Sequence, residues 1–228
     1  MATIKWLGHA AVLIKGSKNI LIDPFIKGNP VAKVNIDEID VDLILVTHGH
    51  PDHLGDTIEI SKKKNIPVIA IFEITNYLQS KGINDIIPMN IGGKRSFDFG
   101  WVKMVPALHS SSIIDAEGIH YAGNPVGYVV NIDGSTIYVA GDTALFKDME
   151  IIGELLKPDI AILPVGDNFT MDIDEAIYAC KLLKVKKMIP IHYNTWDLIS
   201  IDIEKFKKDC ADKGVETIIL EVNGEYEI

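Results

Sequence analysis

Three imidazoles and a carboxylate fall within seven residues, THGHPDH at 47–53, directly behind the apolar run VDLILV. In an extended segment, residues two apart point to the same side, so His48 and His50 can aim at one point. Pro51 then turns the chain, and Asp52 and His53 enter a helix start with side chains that diverge from the first pair. Four such donors do not fit easily into one tetrahedral shell. The economical arrangement is two divalent metal ions a few ångströms apart, one taking His48 and His50, the other Asp52 and His53. Imidazole with carboxylate suits zinc, and also iron, manganese or nickel.

Each ion needs further protein ligands, and the other four of the seven histidines are His9, His109, His120 and His192. His109 follows the apolar WVKMVPAL, His192 ends the run KMIPIH, and Asp142 ends TIYVAGD. All three are expected at strand ends, and strand ends at one sheet edge form a natural ligand crevice. His109 would complete the first site and His192 the second. A carboxylate such as Asp142 could bridge both.

The elements that must position these residues can be read from hydrophobic runs and turn signals. TIKWLG, AAVLIKG and NILIDP are short strands, with KGSKN as a hairpin turn. DLILVTH and IPVIAIF read as strands buried on both faces. The helix DTIEISKKKN lies between them, and EITNYLQSKG is a second helix ended by Gly82. Strands follow around IIPMN, RSFDFG and WVKMVPA. Residues 109–127, HSSSIIDAEGIHYAGNPVG, lose all periodicity and are expected to form one long loop, a length that usually serves function. YVVNIDGSTIYVAGDT is a hairpin with turn DGS, and PDIAILP and KMIPIH are buried strands. MDIDEAIYACKLLK is a helix capped by Asp172 with Glu175 three residues on. DIEKFKKDCADKG is a further helix, and ETIILEVNGEYEI closes the chain as strands. GSKNILID and GSTIYVAGD echo one another, each ending in an aspartate, Asp23 and Asp142, which suggests two similar αβ halves packed sheet against sheet.

Composition narrows the function classes. The 228 residues are 47% hydrophobic and 24% charged, ordinary for a soluble globular chain with a full core. No linker divides it, so residues 1–228 are expected to form one domain. The formal net charge of −10 argues against a protein that grips nucleic acid through phosphates. Cys180 and Cys210 are expected as reduced packing residues. No segment approaches the roughly 18 apolar residues of a membrane span, and no leader is evident at the N-terminus, so a cytoplasmic protein is expected.

THGHPDH, preceded by LIDP and followed in order by ALHS, AGDT and IPIHYNT, resembles the metallo-β-lactamase superfamily over essentially the whole chain. LGHAAVLI and DNFTMDIDEA are similar to a branch of small metal-dependent hydrolases that includes ascorbate-phosphate lactonase and N-acyl-phosphatidylethanolamine-hydrolysing phospholipase D. The resemblance implies a four-layer αββα sandwich with two metals between the sheets. It implies His48, His50 and His109 on the first metal, Asp52, His53 and His192 on the second, and Asp142 between them. Asp23 would orient ligands or bridge solvent, its alternative being a turn former before Pro24. His9 marks this branch, and is expected either beside the metals, hydrogen-bonding the substrate's developing anion or leaving group, or as a core histidine. His120 is expected to be a loop residue, its alternative being a contact with substrate.

Two metals would lower the pKa of a shared water from about 15.7 toward 7 and so supply hydroxide at neutral pH. Asp52 would accept a proton or orient the nucleophile. No GxSxG elbow is present, so the expected reaction is metal-assisted hydrolysis of an ester, lactone or phosphodiester in a small-molecule substrate. The resemblance to the lactonases also suggests subunit association. Three rival readings differ in features of the sequence. A nuclease of the same superfamily would favour a basic tract. Diiron oxidoreductases on this scaffold carry glutamate where His50 stands, whereas a mononuclear iron thiol oxygenase would be separated by metal analysis and oxygen uptake. A non-enzymatic metal-binding scaffold would not need an open cleft.

Overall fold

The computed structural model describes residues 1–228. In chain order the strands are β1 (Thr3–Gly8), β2 (Ala11–Lys15), β3 (Ile20–Ile22), β4 (Leu43–Leu45), β5 (Val68–Ile71), β6 (Ile86–Met89), β7 (Lys94–Phe97) and β8 (Gly100–Pro106), followed by β9 (Ser112–Asp115), β10 (Gly118–Tyr121), β11 (Val126–Ile132), β12 (Ser135–Val139), β13 (Ile160–Pro164), β14 (Lys187–Ile191), β15 (Glu216–Thr217) and β16 (Glu225–Glu227). The helices are α1 (Pro51–Leu54), α2 (Thr57–Lys64), α3 (Phe72–Ser80), α4 (Met149–Leu156), α5 (Ile173–Leu183) and α6 (Ile203–Asp212).

The strands form two seven-stranded sheets, in the orders β16-β1-β2-β3-β4-β5-β6 and β15-β14-β13-β12-β11-β8-β7. The two sheets share one plan. In the first, β1, β2 and β3 are antiparallel and β3 to β6 are parallel. In the second, β8, β11 and β12 are antiparallel and β12 to β15 are parallel. Asp23 therefore follows β3 at the switch from antiparallel to parallel pairing, and Asp142 follows β12 at the equivalent switch. The turns of the matching hairpins meet, because Ser17 donates through its backbone N–H and its Oγ to the Asp133 carboxylate at 2.7 and 2.6 Å.

Parallel strands covered on both faces must be apolar on both faces. β4, β5 and β13 are buried at every position. Helix α3 packs on β5 and β6, α5 on β13, and α6 on β15. The sheets meet over a core of 65 buried residues. Tyr128 on β11 crosses between them, its hydroxyl donating to the Val46 carbonyl at 2.9 Å. The mixed α/β architecture with two facing sheets is the αββα sandwich that the resemblance implies. Helix α5 carries the expected capping box, with Asp172 and Glu175 satisfying each other's backbone N–H groups. Cys180 and Cys210 are free and buried. No helix is long and apolar enough to cross a membrane.

Two expectations need correction. Residues 109–127 are not one loop, because β9 and β10 form a hairpin within them, pairing Ser112 with Tyr121 and Ile114 with Ile119. Ile113 alone turns fully into the core, while Ile114, Ile119 and Tyr121 stand exposed. With a single buried residue in β9 and none in β10, the period-2 signal is too short to register against the surrounding serine and glycine. The C-terminal segment is strand only at β15 and β16, which belong to different sheets. Residues 218–224 carry the chain from one sheet to the other, so their apolar run serves a crossing instead of a ladder.

Candidate metal centre

The motif begins where β4 ends. Pro51 occupies the first turn of α1, where its missing N–H costs nothing, so the extended stretch holding His48 and His50 passes directly into a helix holding Asp52 and His53. Gly49 between the two imidazoles is required by crowding. A Cβ there would lie 2.6 Å from Ala122 Cβ and 2.8 Å from Ile113 Cγ1. The β9–β10 hairpin root thus presses on the motif from one side.

The distant residues come to it. Donor atoms of His48, His50 and His109 all lie within 4.8 Å of one another, as do those of His9, Asp52, His53 and His192, and those of His48, His53 and Asp142. His48 Nε2 and His50 Nδ1 are 3.0 Å apart. Asp142 Oδ2 is 3.3 Å from His53 Nε2, 3.1 Å from His192 Nε2 and 3.7 Å from His109 Nε2. Its carboxylate therefore faces imidazoles of both sets. Asp52 Oδ2 lies 3.8 Å from His53 Nε2 and from His192 Nε2. His48, His53, His192, Asp142 and His9 are buried, whereas His50, Asp52 and His109 are partly exposed and line the open side.

Asp23 governs two of these rings. One oxygen accepts the Thr47 backbone N–H at 2.8 Å, and the other accepts the Thr47 hydroxyl at 2.6 Å and His53 Nδ1–H at 2.8 Å. Thr47 has one hydroxyl proton and gives it to Asp23. Its Oγ1 must then accept at His48 Nδ1, 3.0 Å away. Both rings carry their proton on Nδ1 and turn Nε2 inward, the arrangement a second layer of hydrogen bonds imposes on metal-binding histidines.

Electrostatics follow from burial and from the two inner carboxylates. Burial pushes His48, His50 and His109 below the ordinary histidine range. Burial acts the same way on His53 and His192, but the charges of Asp142 and, at His53, of Asp23 prevail. His53 is raised well above its usual value and His192 to about 9. Burial alone would raise Asp142 and Asp52, yet the neighbouring His53 and His192 hold Asp142 far below the carboxylate range, and the nearby His192 and His53 with the hydrogen bond from His9 do the same for Asp52. Burial lowers His9 to about 4 despite its bond to Asp52.

The donor set fits cations. His53 Nε2 and Asp142 Oδ1 are buried without a hydrogen-bond partner, and such atoms are costly to leave unsatisfied. Imidazole nitrogen and carboxylate oxygen are the donors that zinc and related divalent ions take.

Every sequence-derived candidate is accounted for in the fold. His48, His50, Asp52, His53, His109, Asp142 and His192 converge, and Asp23 lies immediately behind them. His9 is fully buried beside Asp52 and His192. His120 lies apart, on β10, bonded to Asp115 at 2.8 Å. Sequence reasoning missed Thr47 and Phe25; it reached Thr195 and Trp196 only through NTW, a segment expected to help shape the substrate pocket, and gave neither a task of its own. Phe25 and Trp196 meet His9 edge-to-face, with centroids 5.9 and 4.7 Å away. Only their adjacency to LIDP and IPIHYNT could have signalled them.

Comparison with known proteins now bears on this geometry. A family model described as a beta-lactamase superfamily domain matches residues 18–193. A UPF0173 metal-dependent hydrolase of Thermococcus kodakarensis is 49% identical, with both chains covered completely. One from Thermus thermophilus is 49% identical over 95% of this chain and 94% of its own. Among solved structures, Igni18, a metallo hydrolase of Ignicoccus hospitalis, superposes with a TM-score of 0.88 at 34% identity, covering 100% of this chain and 99% of that one.

Proposed function

The chain belongs to the beta-lactamase superfamily and is a metal-dependent hydrolase, and from that premise we propose a dinuclear centre acting on an ester, lactone or phosphodiester bond of a small molecule. His48, His50 and His109 would hold one cation, Asp52, His53 and His192 the other, with Asp142 between them. Zinc suits this donor set best, with manganese, nickel or iron as alternatives. Bound there, divalent cations supply a Lewis acid and water acidified from about 15.7 toward 7.

The observation that carries this reading is the position of Asp142 Oδ2, within 3.7 Å of imidazoles from both sets. A carboxylate that faces both groups is what a shared centre needs and what two unrelated clusters would lack.

The chain's own residues have distinct tasks. Asp23 and Thr47 hold the inner rings in one tautomer. Asp52, a quarter exposed at its side chain, reaches the open side and is placed to take a proton from the attacking water or to orient it. Phe25 and Trp196, packed on the His9 ring beside Asp52, would limit water near the reacting atoms.

The test is elemental analysis of the purified protein, followed by a hydrolysis screen of lactones, phosphodiesters and N-acyl lipids with zinc or manganese added. About two ions per chain are expected, with turnover on one substrate class that Asp52→Ala loses by at least about 100-fold, the low end for a general base. A chain that retains no divalent ion would overturn the centre. Equal turnover by wild type and Asp52→Ala would assign the activity to a contaminant.

A further inference from the structure

We propose that Thr195 and His9 are positioning residues, a hydroxyl-to-imidazole-to-carboxylate chain that orients Asp52 toward the second cation. The inference rests on the reading of Asp52 as a ligand and extends it to two residues outside the ligand set.

His9 Nε2 is 3.1 Å from Asp52 Oδ2, and His9 Nδ1 is 2.9 Å from Thr195 Oγ1. An ionised carboxylate only accepts, and a neutral imidazole has one N–H. Asp52 therefore fixes the His9 proton on Nε2. Nδ1 is left with a lone pair and needs a donor, which the Thr195 hydroxyl supplies. The competing acceptor for that hydroxyl, the Tyr193 carbonyl, is more distant at 3.5 Å. The direction is opposite to that of Thr47, whose hydroxyl accepts from His48 because its own proton belongs to Asp23. One threonine fixes a ring to present a lone pair inward; the other fixes a ring to present an N–H.

The alternative, His9 as a further cation ligand, meets a coordination limit. Asp52, His53, His192 and the shared Asp142 already provide four donors. A fifth from the protein would fill the one position that expansion beyond four leaves for water or substrate.

Both positioning residues are rigidly held. His9 sits between β1 and β2 at φ 53°, a conformation that persists only where its surroundings enforce it. Its carbonyl accepts from Trp6 Nε1 at 2.9 Å and from the His192 N–H at 3.0 Å. Thr195 lies in a closed turn, where the Asn194 N–H donates to the Ile199 carbonyl at 2.8 Å and Asn194 Oδ1 accepts from the Ile201 N–H at 2.8 Å. The relay thus runs from the loop after β14, through the β1–β2 turn, to α1.

The decisive measurement is the nitrogen NMR spectrum of the imidazoles in metal-free, 15N-labelled wild-type protein. The expected result is a His9 proton on Nε2 and none on Nδ1. A proton on Nδ1 overturns the inference, and no variant has to fold for that outcome to count. Thr195→Val and Thr195→Ser are then compared for zinc affinity by competition with a chelator. Loss of a hydrogen bond behind a ligand typically weakens binding about 10–100-fold. Thr195→Val is expected to fall in that range and Thr195→Ser to keep wild-type affinity. Wild-type affinity in a folded Thr195→Val overturns the inference. Failure of wild-type protein to bind zinc at all would instead remove the proposed centre, while the tautomer result would still stand or fall by itself.

Discussion

Asp23 commits both oxygens to neighbours, and those neighbours decide which nitrogens His48 and His53 present. Asp23→Asn replaces one acceptor oxygen by an NH2 group that faces with a donor either the Thr47 backbone N–H or the Thr47 hydroxyl together with His53 Nδ1–H. Zinc affinity measured by chelator competition is expected to fall about 10–100-fold, with the far-ultraviolet circular dichroism unchanged. Gly49→Ala tests the crowding around the motif, since the added methyl would sit 2.6 Å from Ala122 Cβ and 3.0 Å from the Ser112 carbonyl carbon. A loss of about 1–3 kcal/mol is expected from such overpacking, read from urea denaturation of the metal-free protein. At this scale the sequence disclosed the donors themselves, because residue type and spacing alone marked His48, His50, Asp52 and His53, and strand-end placement added His109, Asp142 and His192. It did not disclose Thr47 or Thr195. What a hydroxyl does depends on which neighbour claims its single proton, and those neighbours, Asp23 and His9, are 24 and 186 positions away.

The elements differ in how firmly local sequence determined them. Helix α5 was legible from its cap, and Asp172→Ala should cost about 0.5–2 kcal/mol through the lost bond to the Glu175 N–H, again measured by urea denaturation. The parallel strands were legible because burial on both faces demands unbroken apolar runs. The β9–β10 hairpin was not, since its hold on the protein is lateral. Asp115 accepts from Tyr77 Oη at 3.1 Å, pairs with Lys81 Nζ at 2.9 Å and bonds His120 at 2.8 Å, tying the hairpin to α3. An isolated two-stranded hairpin is marginal in water, so this latch and Ile113 are what keep it folded. Asp115→Asn should speed amide exchange across residues 112–121 by severalfold while leaving the exchange of β4 and β13 unchanged. Equal exchange in variant and wild type would show that Ile113 suffices. The division of the C-terminal apolar run between two sheets was also beyond local reading, because edge pairing is chosen by partners far along the chain.

For the molecule as a whole, the proposed ligands are distributed over both sheets, with His48, Asp52 and His53 following β4 and Asp142 and His192 following β12 and β14. A cation held by both groups joins the sheets at the end where the hairpins do not. Binding to the folded form alone stabilises it by about 2.7 kcal/mol when free ion is 100 times its dissociation constant. Melting temperature should therefore rise with added zinc and fall on chelation. In Asp142→Ala, which separates the two groups, the zinc-dependent rise should be largely lost. The doubled sheet plan was foreshadowed by the echo of GSKNILID and GSTIYVAGD, although their contact through Asp133 was not. The His9 carbonyl, bound to the His192 N–H, carries one more consequence. At about 5–20 residues per second, the ribosome needs on the order of ten seconds to travel from His53 to His192. Throughout that interval the nascent first half displays its imidazoles with nothing to enclose them. Copper, which nitrogen and oxygen donors hold more tightly than zinc, would meet an unfinished chelator until translation delivers the closing segment.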